Sequence, residues 1–326
     1  MRVLVTGGAG YVGSQTTRRL LELGHDPVVL DTLEHGSPAA IPGVELVRGS
    51  VGDGPLVRAL LDDRRIEAVL HFAAYKSVEE SIGQPGRYFA NNVSATVTLL
   101  DAMAASGVGR LVFSSTCAVY GEPPRVPIDE AAPTRPENPY GESKLLVERA
   151  LPWFEGAGVR AVSLRYFNAA GAELDGRHGE DWDGAVNLVP VAIRAGMHRG
   201  PALRVLGTDY PTPDGTAIRD YVHVIDLAEA HIRALDYLAD GGAPTTLNLG
   251  TGVGSSVRQV VDAVEAAIGA DVPTVASGRR PGDPAAVWAD ASRAASVLGW
   301  RARFGLADIV GSAVRWHRDH PDGYRT

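Results

Sequence analysis

The sequence predicts an α/β protein: a doubly wound parallel sheet with a smaller mixed α/β domain. Three observations carry this. Val-rich apolar runs alternate with helical periodicity through the first half of the chain, a glycine-spaced turn follows the first run, and the alternation breaks beyond Phe167. Apolar runs of this kind suit strands covered on both faces, as parallel strands between helices are.

In order, RVLVT (2 to 6) reads as a buried strand, 11 to 24 as a helix stopped by Gly24, and PVVLD (27 to 31) as the second strand. VELVRG, a helix near 54 to 63, the strand EAVLHF (67 to 72), a long helix over about 85 to 105 and RLVFSS (110 to 115) continue the pattern. The YGESK helix leads to VRAVSLRYF (159 to 167). Residues 168 to 220 hold glycines, prolines and acidic loops around one helix, NLVPVAIRAGM. A helix near 226 to 239, the strand TTLNLG, a helix near 256 to 268 and two short helices complete the chain. Residues 1–167, with roughly 220–250 returning to them, therefore form one expected domain. Residues 168–219 and 251–326 form the other, over the carboxyl ends of the strands, where open α/β sheets bind ligands.

Bulk composition excludes several function classes. The net charge of -8 over 326 residues argues against nucleic-acid or acidic-membrane surfaces, which Lys and Arg must neutralise. No apolar run is long enough to cross a bilayer, and glycines interrupt the apolar start of MRVLVTGGAG, so the expectation is a cytoplasmic protein without a signal peptide. The single cysteine, Cys117, excludes an internal disulfide and a multi-thiolate metal site, and the nine histidines are scattered; no metal is expected.

After the first strand stands TGGAGYVG, with Gly7, Gly10 and Gly13 spaced by three. Glycines there permit a sharp turn, close approach of a pyrophosphate to the backbone N–H groups at the helix start, and close helix–strand packing. Asp31, ending the second strand, can accept from both hydroxyls of an adenosine ribose and repel a 2′-phosphate. The combination reads as a Rossmann-like site for NAD rather than NADP.

In NPYGESK, Tyr140 and Lys144 are four apart and share one helix face. Bringing a phenol from about 10 to about 7 takes roughly 4 kcal/mol. An ammonium about 6 Å away at an effective dielectric of about 20 supplies roughly 2.8 kcal/mol. A second cation, an oxidised nicotinamide, would supply the remainder. Thr116, in SSTCAVYG at the end of a strand, offers a hydroxyl beside that phenol.

These residues resemble the extended short-chain dehydrogenase/reductase superfamily. RYFNAAGA (165 to 172), NLVP (187 to 190), GTDYPTPDGTAIRDYVHVIDLA (207 to 228), LNLGTGVGSSV (247 to 257) and RRPGDPAAVWAD (279 to 290) narrow it, from end to end, to the UDP-glucose 4-epimerase family. The resemblance implies hydride chemistry without net redox. Tyr140 would take the proton of the sugar 4-hydroxyl, Thr116 would bond the same oxygen, and Lys144 would hold the nicotinamide ribose. It also implies cofactor contacts from Tyr11, Val12, Ser50, Val51, Phe72, Ala73, Ala74, Lys76, Asn91, Ser114 and Phe167. The UDP-sugar would meet Asn168, Asn187, Leu188, Leu203, Val205, Arg219, Tyr221, Arg280, Asp283 and Val287, together with Lys76, Thr116, Tyr140 and Phe167. A homodimer through the helix near 92 to 105 and the YGESK helix is implied too; burial of those helices within one monomer is the alternative.

Two positions depart from the family pattern. Ser50 stands where an Asp commonly accepts from the adenine amino group, so looser adenine recognition is expected. Val287 stands where a tyrosine often walls off C2 of the sugar, which leaves room for an N-acetyl group. Cys117 and Ala118 lack the acid and base that a 4,6-dehydratase needs, and Ala118 the glutamate of a decarboxylase. A pentose or uronate 4-epimerase and a non-catalytic NAD-binding regulator remain open alternatives.

Overall fold

A computed structural model describes residues 1–182, 185–280 and 282–325. The strands are β1 (Arg2–Thr6), β2 (Asp26–Asp31), β3 (Glu45–Arg48), β4 (Ala68–His71), β5 (Arg110–Thr116), β6 (Arg160–Tyr166), β7 (Asn168–Ala170), β8 (Leu203–Leu206), β9 (Ile218–His223), β10 (Thr245–Leu249), β11 (Gly254–Ser256), β12 (Thr274–Ser277) and β13 (Ala286–Val287). They divide between two compact units: residues 1–121, 133–165 and 228–247, and residues 122–132, 166–227 and 248–325.

The first unit is built on a seven-stranded sheet of order β10-β6-β5-β4-β1-β2-β3, the Rossmann-like arrangement that the alternation predicts. β1 lies parallel between β2 and β4, with Val5 opposite Val29 on one side and Leu70 on the other. Helices cover the sheet because its strands are apolar on both faces. Leu4, Leu30, Val69 and Phe113 pack with Leu61 from the helix Gly54–Asp63 and with Leu99, Leu100 and Met103 from the helix Ala95–Ser106. Burying each such side chain contributes about 1.5–3 kcal/mol, and Leu100→Ala, at 0 % exposure, would cost about 2–5 kcal/mol. Helix starts follow their caps: Asp53 Oδ1 accepts from Leu56 N at 3.1 Å, and Asn138 Oδ1 accepts from Gly141 N at 2.9 Å ahead of Pro139.

The helix expected over 85 to 105 is instead Pro85–Tyr88, a π-helical stretch Phe89–Ser94 and Ala95–Ser106. Periodicity near 3.6 does not reveal a π segment, whose wider turn differs by only one residue in its hydrogen-bond spacing.

The second unit centres on β9, flanked by antiparallel β11 and parallel β13, with β7 continuing the pairing at Tyr221–His223. β8 and β12 form a separate parallel pair. Helices Leu188–Gly196, Val257–Ile268 and Leu306–Asp319 enclose Val189, Ile193, Val260, Val264, Ile309 and Val314. The last helix, 14 residues long, is not short as expected. Residues 122–132, expected with the first domain, group with this unit for a local reason. Ile128 N donates to Trp288 O at 2.9 Å, Asp290 N to Ile128 O at 2.7 Å, and Asn248 N to a Glu130 carboxylate oxygen at 2.7 Å. Bridges of this kind join residues far apart in sequence and leave no local periodicity.

Candidate functional site

In the first unit the chain leaves β1 through Gly7, which has φ of +70°. A Cβ on Gly7 would stand 2.6 Å from Ala73 N, and one on Gly13 would stand 2.2 Å from Gly7 O. These two glycines are demanded by packing of the turn against its own helix and against the exit of β4. Gly10 differs: its nearest neighbour to a Cβ is Gly7 O at 3.4 Å, so its glycine keeps open space over the N-terminus of the helix Tyr11–Glu22. Open backbone at a helix N-terminus suits a pyrophosphate. Asp31, 8 % exposed, accepts from Ala9 N at 3.0 Å and Leu33 N at 2.8 Å, which fixes its carboxylate beside the turn. Four carboxylate lone pairs leave further acceptors for ribose hydroxyls. The turn and its acid therefore fit a dinucleotide.

Phe72, Ala73 and Ala74 follow β4, with Phe72 N and Ala73 N donating to Thr6 O at 2.9 and 3.1 Å. Ser50 Oγ accepts from Gly52 N at 3.1 Å, and Val51 is buried in the core. Ser50 and Asn91 line a cavity of about 450 Å³ with Tyr75, Arg87 and Ser94. Lys76 is exposed; Tyr11 and Val12 are half-buried at the helix start.

The helix Pro139–Glu155 carries Tyr140 half-buried and Lys144 at 4 % exposure. Lys144 Nζ donates to Ser114 O at 2.9 Å, which ties the helix to the end of β5. Burial lowers the lysine to about 7, and the Glu148 carboxylate opposes that shift. Thr116, 7 % exposed, accepts from Ala118 N at 3.2 Å through Oγ1, so its hydroxyl hydrogen is available to donate.

Asn92, which the sequence reading passed over, joins three segments. Its amide donates to Tyr75 O and Ser143 Oγ, each at 3.0 Å, and its oxygen accepts from Tyr75 N at 2.9 Å and Asn91 Nδ2 at 3.0 Å. Behind it, Thr96 Oγ1 donates to Asn92 O, so His71 Nε2 must donate to Thr96 while His71 Nδ1 accepts from Thr6. Glu148, also overlooked, sits four residues beyond Lys144; the spacing Tyr-x-x-x-Lys-x-x-x-Glu was the available signal.

In the second unit Arg219 on β9 donates to an Asp283 carboxylate oxygen and, at 2.7 Å, to Ile218 O. Arg280 lies 3.2 Å from the other Asp283 oxygen. Two guanidiniums around one carboxylate leave a surplus positive charge, suited to a phosphate. Asp220 fixes this strand: it accepts from Thr251 N, Gly252 N and Ala289 N at 2.9, 3.1 and 3.2 Å. Val287, 6 % exposed, is in register with Arg219. Tyr221 and Leu203 pack in the core of this unit, Leu188 against it, and Val205 is half-buried on β8. Asn187 immediately precedes the helix that begins at Leu188, without a capping hydrogen bond from its side chain, and Asn168 opens β7 beside buried Phe167.

A family model described as "NAD dependent epimerase/dehydratase family" matches residues 3–250. The chain belongs to this family. A UDP-glucose 4-epimerase of Azospirillum brasilense is 48 % identical over 320 residues, covering 97 % of this chain and 92 % of that one. A crystal structure of the UDP-glucose-4-epimerase of Stenotrophomonas maltophila, with NAD and formylated UDP-arabinopyranose bound, superposes with a TM-score of 0.94 at 42 % identity, covering 98 % and 99 % of the two chains. The UDP-Glc/GlcNAc 4-epimerase of Campylobacter jejuni gives 0.85 at 37 % identity, with 98 % and 99 % covered. Among the described residues of this epimerase/dehydratase family member, no helix is long and apolar enough to cross a membrane, and no three His, Cys, Asp or Glu side chains group as metal ligands.

Proposed function

We propose that this chain is an NAD-dependent UDP-hexose 4-epimerase that interconverts UDP-glucose and UDP-galactose. The observation that carries the reading is Lys144, buried between β5 and Tyr140's own helix, in a unit that also holds the Gly10–Asp31 dinucleotide cradle.

The first unit serves as the NAD domain and the second as the UDP-sugar domain. Gly10 leaves the space in which the pyrophosphate meets the N-terminus of the helix Tyr11–Glu22, Gly7 and Gly13 shape the turn behind it, and Asp31 accepts from the adenosine ribose. Lys144, with one hydrogen on Ser114 O, keeps two for the nicotinamide ribose and adds positive potential that favours ionised Tyr140. Bound NAD supplies a hydride acceptor and donor for the sugar's C4. Tyr140 takes the proton of the 4-hydroxyl and later returns it; Thr116 donates to the same oxygen and keeps it in line. Because the proton and hydride are both restored, the reaction leaves no net redox change. Arg219 and Arg280 bind the diphosphate, with the Asp283 carboxylate bridging the two guanidiniums.

Val287 in place of a larger side chain supports acceptance of UDP-N-acetylhexosamines as well. A cytoplasmic location and a homodimer through the helices Ala95–Ser106 and Pro139–Glu155 complete the proposal; Trp153 on the second helix is 85 % exposed, apolar surface that pairing would cover.

Purified protein incubated, without added cofactor, with equimolar UDP-galactose and UDP-N-acetylgalactosamine tests the reading by chromatography of all four nucleotide sugars. UDP-glucose must form. If neither donor changes even with added NAD, the hexose assignment fails.

A further inference from the structure

We propose that Glu148, clamped by Ser115 and Arg165 one helical turn beyond Lys144, is a positioning residue that acts through Lys144 by keeping its ammonium charged. Residues 140, 144 and 148 succeed each other at four-residue intervals, so Tyr140, Lys144 and Glu148 fall on one face of the helix Pro139–Glu155. The Glu148 side chain is 7 % exposed and that of Arg165, from β6, is 9 %. Ser115 Oγ donates to Glu148 at 2.5 Å. Arg165 donates to the carboxylate from Nε at 3.0 and 3.1 Å and from Nη2 at 2.5 Å. Its remaining Nη1 donates to Tyr120 Oη at 2.9 Å, which anchors the guanidinium on the turn after Thr116. Ser115 thus stands between Ser114, which receives the lysine's hydrogen bond, and Thr116.

The chain contains only two lysines, Lys76 and Lys144, among 31 basic Lys and Arg residues. Arginine serves every other cationic position. A buried arginine stays charged whatever surrounds it, whereas a buried lysine gives up its proton readily. Position 144 therefore needs a counter-charge if it is to remain an ammonium. The groups around it are His71 on β4, neutral and itself pushed down to about 3 by burial and by Lys144; His231, whose Nε2 meets Ser114 Oγ at 3.1 Å; Tyr140 and Glu148 on its own helix; and Arg165 with Tyr120 beyond. Among the described residues, Glu148 is the carboxylate that acts on Lys144. Arg165 opposes it in sign, so the clamp works as a balance: the glutamate favours the ammonium and the arginine disfavours it.

The inference deepens the proposed function but is tested without it. Purified full-length protein, with whatever nucleotide it retains, is labelled with 13Cε-lysine. It should give two signals, with Lys76→Arg assigning the one that remains to Lys144. The Lys144 midpoint should fall by about one to two pH units in Glu148→Gln. It should lie between that value and the wild-type value in Glu148→Gln/Arg165→Met, which removes both charges of the clamp and so leaves no buried guanidinium unpaired; a fold lost in the single variant is then not lost in the test. The alkaline limb of the kcat profile should move in the same order. A Lys144 midpoint in the double variant equal to the wild type, or lower than in the single variant, would overturn the proposal. A shifted midpoint in a protein that epimerises no UDP-sugar would retain the clamp and reject the function instead.

Discussion

Lys144 donates from Nζ to the main-chain carbonyl of Ser114 at 2.9 Å, with the Phe113 ring centroid 4.9 Å from the same nitrogen. The ammonium is held where water cannot solvate it, and burial brings it from 10.5 to about 7. Folded Lys144 then binds its proton less tightly than unfolded lysine, so the unfolded state carries more protons between about 7 and 10.5. Stability consequently rises with pH across that window, and the lysine costs most below it. Lys144→Met should stabilise the fold at pH 7 by about 2 kcal/mol, the lost donor to Ser114 O offsetting part of the desolvation gained. The gain should vanish towards pH 10.5 while activity falls at least about 100-fold. Urea unfolding at pH 7 and pH 10 checks this; equal midpoints at pH 7 would mean that the buried ammonium carries no penalty.

The three glycines of the turn separate into two kinds. Gly13→Ala forces a Cβ to within 2.2 Å of Gly7 O and should destabilise the fold by more than about 3 kcal/mol. Gly10→Ala meets nothing nearer than 3.4 Å and should fold within about 1 kcal/mol of the wild type. Its methyl would nevertheless occupy the space over the helix N-terminus. NAD affinity, measured by calorimetry on refolded apoprotein, should drop at least about 10-fold. Unaltered affinity would move the pyrophosphate away from Gly10.

What the sequence revealed and what it concealed divide along local and non-local causes. Val3, Leu4 and Val5 announce a buried strand because both their faces are apolar, and Gly7 with Asp31 announces the cradle because the turn demands those residue types at that spacing. Asn92 stayed silent, since an asparagine in a helix is ordinary until Tyr75 and Ser143 arrive from 17 and 51 residues away. The same holds for Glu130 and Ile128, whose partners near 248 and 289 draw residues 122–132 into the second unit. Short strands such as Ala286–Val287 escape for another reason: two residues carry no period.

Arg219 and Arg280 share the Asp283 carboxylate, with the Asp283 side chain 12 % exposed. Arg219→Met leaves that carboxylate with one partner and removes half of the cationic pair. The KM for UDP-galactose should rise about 30- to 100-fold with kcat changed less than about 5-fold, because the diphosphate is bound equally in ground and transition states. The affinity for UDP alone should fall in parallel and weaken with ionic strength in the wild type. A loss confined to kcat would place Arg219 at the reacting sugar rather than the diphosphate.

Three buried histidines set the acid limit. Burial lowers His71 and His317 to about 3 and His223 to about 4. Unfolded histidine takes a proton near 6.5, so below that pH the unfolded chain binds up to three protons that the folded chain refuses. Stability should therefore fall from about pH 6.5 downward, approaching roughly 4 kcal/mol per pH unit near pH 5. His317 offers a clean test: its ring stacks on Trp182 at 3.7 Å, and Nδ1 is buried with no partner among the described residues. His317→Phe keeps the stack and removes both the orphaned nitrogen and one proton. Its melting temperature should equal or exceed the wild type at pH 7 and gain steadily below pH 6; a constant difference across pH 4–7 would contradict the titration.

Val287 is held by β9 in register with Arg219, 6 % exposed, so a substitution there changes the wall beside Arg219 without altering the arginine's own strand. Tyrosine adds a ring and a hydroxyl. If the sugar's C2 substituent faces this position, the ring fills the room that an N-acetyl group needs and leaves a 2-hydroxyl unhindered. Val287→Tyr should then reduce kcat/KM for UDP-N-acetylgalactosamine at least about 100-fold while UDP-galactose stays within about 5-fold, since steric exclusion acts only on the larger substrate. Overpacking would cost about 1–3 kcal/mol and lower both activities together, so the melting temperature is read alongside. The ratio of the two kcat/KM values is the discriminating quantity: a ratio equal to the wild type's would show that C2 lies elsewhere and that Val287 does not set substrate breadth.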